Sequence, residues 1–240
     1  MKILVAGDSW THGWNVEHSW WHYLDETDIT SVAMSGDSNS IISQEVRAAV
    51  RQSHYDLVIV GWSSMLRVQD TRGDPGVWWA KNIDEDGSEA LDAIAEALDN
   101  FYRTNSLDYF QNKMYEHIQQ VESLPTKVLH FSVFGDNLGN VKHKMDISYL
   151  EYLANDNGYK FIYNIPTFEF GLLSNERKEI SRMLFSKKED IYPNWELALF
   201  ERDKIQLDFP KTNNFQHCGH PSEKGHKLWG AEINDAIRSL

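Results

Sequence analysis

The amino-acid sequence predicts an α/β fold: a three-layer α/β/α sandwich built on a mostly parallel, five-stranded sheet. Three observations carry this expectation. Short, continuous apolar runs recur along the chain, stretches with helical spacing lie between them, and an amphipathic stripe closes the C-terminus. Buried strands that alternate with helices mark a parallel sheet covered on both faces, because right-handed crossovers place the helices there.

The strands are expected at residues 3–6, weakly at 29–33, strongly at 56–60, then at 127–133 and 160–165. Helical spacing joins Ile42, Val46, Ala49 and Val50, then Leu107, Phe110, Met114, Ile118 and Val121, then Met145, Tyr149, Tyr152 and Leu153. A last helix is expected to begin near Pro221-Ser222-Glu223, its stripe of Trp229, Ile233, Ala236, Ile237 and Leu240 packing back onto the sheet. Residues 67–101, rich in Asp, Gly and Trp, and residues 171–216, which mix a polar helix with irregular sequence, read as insertions. With no repeat, low-complexity tract or linker in sight, residues 1–240 are read as one domain.

Composition narrows the function classes. Hydrophobic residues make up 41% and charged residues 25%, and no segment approaches the roughly 18 uninterrupted apolar residues of a membrane helix. The N-terminal run from Met1 to Gly7 is too short for a signal-peptide core and leads straight into Asp8, so it is expected as a buried strand in a soluble, cytoplasmic protein. One cysteine, Cys218, allows no intrachain disulfide and fits a reducing compartment. Thirty-six acidic against 23 basic side chains give a net charge of -13, which repels a phosphate backbone. The basic pairs Arg177-Lys178 and Lys187-Lys188 lie beside Glu176, Glu179 and Glu189 and read as a solvated face. Neither nucleic acid nor a membrane is therefore an expected partner.

Two places carry chemistry. The first strand ends in Gly7-Asp8-Ser9, presenting a serine at the carboxyl edge of the sheet, where open α/β sheets bind ligands. Near the other end, the run from Gly219 to His226 puts His220 just before the last helix, in a loop able to return to the first strand. Activating a serine hydroxyl requires such a base within hydrogen-bond reach. His217, Cys218, His220 and His226 offer zinc-ligand chemistry, but their spacing matches no paired zinc-site pattern and a zinc site would leave the serine unexplained. No metal and no organic cofactor is expected.

With these blocks in place, the chain resembles the SGNH/GDSL hydrolase family, and within it a branch found in tailed-phage genomes, which would locate the protein in the host cell. The resemblance implies the family's flavodoxin-like fold and rests on four blocks: Gly7-Asp8-Ser9, then Ser35-Gly36-Asp37-Ser38-Asn39, then Gly61-Trp62-Ser63-Ser64, and finally His220-Pro221. It implies Ser9 as nucleophile and His220 as general base. The backbone N–H groups of Ser9 and Gly36 would form the oxyanion hole, with Ser63 or Asn39 as a third donor. The third block departs from the family's Gly-x-Asn-Asp, since Ser63 stands where the family has Asn; the phage branch shows Trp-Ser/Thr-Ser with a following Arg, here Arg67. The family's acid, three residues before the histidine, is here His217, so a backbone carbonyl or a carboxylate such as Asp203 or Asp208 is expected to orient the imidazole. His217, Asp8, Arg67 and Trp10 are named as orienting or substrate-contacting residues.

The expected activity is hydrolysis or transfer of a small acyl group by double displacement at Ser9 and His220, with a small-molecule or glycan ester as substrate. The rival reading is a degenerate domain that binds a glycan or a protein without turnover. Nine tryptophans are many for this length, and they are read chiefly as core, the alternative being a pocket lined for a sugar ring or an acyl chain. Oligomeric state is not legible.

Overall fold

In the computed structural model the described residues are 1–65, 107–135, 137–156, 214 and 220–240. Four strands form one sheet: β1 (Lys2–Gly7), β2 (Asp28–Ser31), β3 (Leu57–Trp62) and β4 (Lys127–Ser132), in the order β2-β1-β3-β4. Every neighbouring pair is parallel; Ile3 faces Leu57, Gly7 faces Gly61, and Trp62 faces Ser132. All six residues of β3 are buried, as an unbroken apolar run requires when both faces of a sheet are covered. The expected strand at 160–165 lies outside the described residues, as do both insertions.

Alternate residues divide the interior into two cores. Ile3, Val5, Leu57, Ile59, Leu129 and Phe131 face one side, where they meet Trp10, Trp20, Leu153, Trp229 and Ile233. Leu4, Ala6, Val58, Val60 and Val128 face the other and pack on Ile42 and Val46 of α2 (Asn39–Gln52) and on Phe110, Met114, Ile118 and Val121 of α3 (Leu107–Glu122). This is the period-2 signature of a strand sandwiched between helical layers. The first core is roofed by a short α1 (Ser9–His12), a 3-10 turn (Trp20–Tyr23), α4 (Tyr149–Asp156) and α5 (Glu223–Arg238).

One expectation needs correction. Helical spacing placed Met145 in the fourth helix, but its N–H donates to the carbonyl of His130 while His130 N–H donates to the carbonyl of His143, so the segment lies as a parallel bridge beside β4. The helix starts at Tyr149, after Ser148, whose hydroxyl accepts from the Glu151 N–H at 3.3 Å. The last helix begins where expected, at Glu223: Ser222 is the N-cap, its hydroxyl accepts from the Gly225 N–H, and Pro221 precedes it.

Helix α5 is clamped to the segment that follows β1. Asn234 accepts from the Asp25 N–H and donates to the Tyr23 carbonyl, and a Cβ at Gly230 would stand 2.6 Å from the Trp20 carbonyl oxygen. The clamp holds the start of α5, and with it His220, at the carboxyl edge of β1. There β1 has β2 on one flank and β3 on the other, so the crevice where strand order reverses opens beside Gly7 and Gly61.

Candidate active site

The turn after β1 is built around Asp8. Its backbone is extended, its Oδ1 accepts from the Trp10 N–H at 3.0 Å, and its carbonyl receives the N–H groups of Thr11 and His12. This caps the four-residue α1, whose first residue is Ser9, and the helix stops at once because Gly13 adopts φ 86 and donates to the Ser9 carbonyl. Thr11 fills the space above the facing glycines: a Cβ at Gly7 would stand 2.2 Å from its hydroxyl oxygen, and one at Gly61 2.6 Å. Glycine at both positions is what lets α1 sit so close to the sheet.

The buried hydroxyl of Ser9 lies 2.9 Å from Nε2 of His220, a residue 211 positions away in the chain. The imidazole is half-buried, two residues before the N-cap of α5, with the Trp10 ring at 6.4 Å and the Trp14 ring at 6.2 Å. Trp10 and Trp14 differ sharply. Trp10 is buried edge-on against Phe134 and Tyr149. Trp14 is 43% exposed.

The second and third blocks reach the same edge. Met34 donates to the Gly7 carbonyl at 3.1 Å, which brings the loop carrying Gly36 beside the end of β1. Among the described residues neither the Ser9 N–H nor the Gly36 N–H donates to a backbone acceptor, and Gly36 sits at φ 89. The side chains expected as a third oxyanion donor have other partners. Ser63 donates its single hydroxyl proton to Asp8 Oδ2 at 2.7 Å, and the Asn39 amide donates to the carbonyls of Ser63 and Ser64 at 3.0 and 3.3 Å. Both therefore tie the third block to the first two in this structure. The reach of a short hydroxyl toward a buried carboxylate explains the difference.

His217, Arg67, Cys218, Asp203 and Asp208 lie outside the described residues. Two further histidines are buried. His226 forms a 2.7 Å hydrogen bond with the Tyr149 hydroxyl through Nδ1, and burial first, then the neighbouring His220 and His22, pushes it down to about 3. Burial also raises the Tyr149 hydroxyl, so the pair stays neutral. His130 accepts from the Trp62 indole N–H at Nδ1 and faces Glu122 at 2.7 Å through Nε2. Burial lowers its pKa against the opposing pull of Glu122. Because an indole only donates, His130 must carry its proton on Nε2.

The fold and this edge define an α/β domain with a serine and a histidine in hydrogen-bond contact at its switch point. No family model matches the sequence, and no curated protein matches it. Solved structures do. The chain is similar to a lipase/acylhydrolase from Enterococcus faecalis at 15% identity and TM-score 0.43, covering 100% of this chain and 96% of that one. It is similar to a member of the lipolytic protein G-D-S-L family from Veillonella parvula DSM 2008 at 13% identity and TM-score 0.44, covering 100% of both. An acetyl xylan esterase, AlAXEase, matches at 12% identity and TM-score 0.37, over 99% of this chain and 100% of that one. The α/β assignment itself stands on the parallel strand order and the two covered faces. Among the described residues no helix is long and apolar enough to cross a membrane.

Proposed function

We propose that the chain is a serine ester hydrolase or acyl transferase of the SGNH/GDSL kind, acting on a small acyl group carried by a glycan or another small alcohol. The observation that supports this best is the 2.9 Å contact between Ser9 Oγ and His220 Nε2, made across the whole length of the chain. A hydroxyl so placed loses its proton to the imidazole as its oxygen attacks the ester carbonyl. The N–H groups of Ser9 and Gly36, which no backbone acceptor takes among the described residues, stabilise the negative oxygen that develops.

Collapse of the tetrahedral intermediate breaks the bond to the alcohol oxygen, which leaves with the proton held on His220. The acyl group remains on Ser9. Water, or a second alcohol, then gives a proton to His220 while attacking the acyl-enzyme, and Ser9 regains its hydrogen. Asp8 and Ser63 hold the turn that carries Ser9 and take no proton in this scheme.

A fluorophosphonate probe tests the reading. Wild-type protein should be labelled at Ser9, while Ser9→Ala, correctly folded by circular dichroism, should be neither labelled nor able to hydrolyse acetate esters. Wild-type protein that resists labelling, or an Ser9→Ala variant that keeps most of its activity, would overturn the assignment and leave a non-catalytic glycan- or protein-binding domain.

A further inference from the structure

We propose that Trp14 is the platform on which the alcohol portion of the ester seats, and that this portion is a pyranose ring; the proposal rests on the Ser9–His220 reading above. In that reaction the leaving oxygen must come within hydrogen-bond reach of His220, because it departs with the proton the imidazole holds. The alcohol therefore extends past the imidazole. Among the described residues the exposed ring beside that imidazole is Trp14, 6.2 Å from that of His220 and tilted by 34°.

The local backbone is built to keep this indole where it is. Trp14 stands between two residues in the left-handed region, Gly13 at φ 86 and Asn15 at φ 58, and its own N–H is tied to the Ser9 carbonyl at 3.2 Å. Asn15 is the sole non-glycine residue with positive φ among those described, a conformation that disfavours most side chains. While Trp10, Trp20, Trp62 and Trp229 are buried in the cores, this tryptophan is held 43% exposed on the reacting serine's own turn.

The surroundings choose between the two occupants an indole favours. The turn that carries Trp14 also presents His12 and Asn15, both exposed, and the loop after β2 brings Ser35, whose hydroxyl lies 3.5 Å from His12 Nδ1. A flat apolar face rimmed by polar groups suits a pyranose, which offers C–H bonds from its face and hydroxyls from its edge. An extended acyl chain needs apolar walls on several sides.

The test compares acetylated methyl xylopyranoside with ethyl acetate, after fluorophosphonate labelling has established that wild-type Ser9 is reactive. Trp14→Ala should lose about tenfold more kcat/KM on the sugar ester than on ethyl acetate, mainly through KM, and Trp14→Phe should recover part of the difference. The pH–rate profile should keep its wild-type midpoint. Equal losses on both esters, or a shifted midpoint, would show that Trp14 only shelters His220 and would overturn the platform. So would wild-type protein that is labelled and cleaves ethyl acetate but not the sugar ester. Failure of labelling itself falls on the Ser9–His220 reading instead.

Discussion

His226 should make the fold acid-sensitive, and the effect can be worked out. In the unfolded chain an imidazole takes up a proton near pH 6.5, whereas His226 in the fold resists protonation down to about 3, held neutral by burial beside Tyr149. Between those values the unfolded state binds more protons, so stability is complete above the unfolded value and is lost as pH falls toward the folded one. The full gap corresponds to about 4–5 kcal/mol, of which about 3 kcal/mol is lost between about pH 7 and about pH 4. His22, His117 and His130 are also lowered and act in the same direction, so wild-type acid lability has several sources. His226→Gln removes one of them while keeping a polar partner for the Tyr149 hydroxyl. Urea unfolding followed by tryptophan fluorescence should show the variant weaker than wild type at neutral pH but with a shallower decline, the two curves converging by about 3 kcal/mol at about pH 4. Parallel curves would refute the reasoning, because they would mean that His226 carries the same proton in both states.

Ser63→Ala removes the hydroxyl that donates to the buried Asp8 carboxylate and should cost about 1–3 kcal/mol of stability, read as a lower urea midpoint, together with lower activity as α1 loosens. An unchanged midpoint with a reduced kcat would put Ser63 at the oxyanion instead. Gly7→Ala should destabilise by about 1–3 kcal/mol or prevent folding, since the new methyl would stand 2.2 Å from Thr11 Oγ1 and 2.9 Å from the Gly61 carbonyl oxygen. A wild-type melting temperature would show that α1 and the sheet edge do not approach so closely.

Strands β1, β3 and β4 were legible because each is a short apolar run buried on both faces, a pattern that few other structures produce. Strand β2 was faint: it lies at the edge, and no residue in it is fully buried. Met145 was misread because an apolar residue four before Tyr149 looks the same on a helix face as on a bridge beside β4, and the distinction lies in hydrogen bonds to His130. Among the tryptophans, the family resemblance points to Trp10, next to Ser9, and nothing in the sequence alone separates Trp14 from the rest. What sets Trp14 apart in the structure is its place just after Gly13, a helix stop that turns the next residue away from the core.

The sequence by itself determined the class of fold, the serine at the end of the first strand and the histidine ahead of the last helix, since these depend on local runs and on the order of blocks. Only the tertiary structure decided who partners whom. The Ser9–His220 contact needs α5 clamped onto the 3-10 turn, and Ser63 donates to Asp8 because Gly7 and Gly61 stand side by side in the sheet. Hydrogen bonds reach only about 3 Å, so pairing between residues 55 or 211 positions apart is set by packing of the layers and leaves no trace in the local sequence.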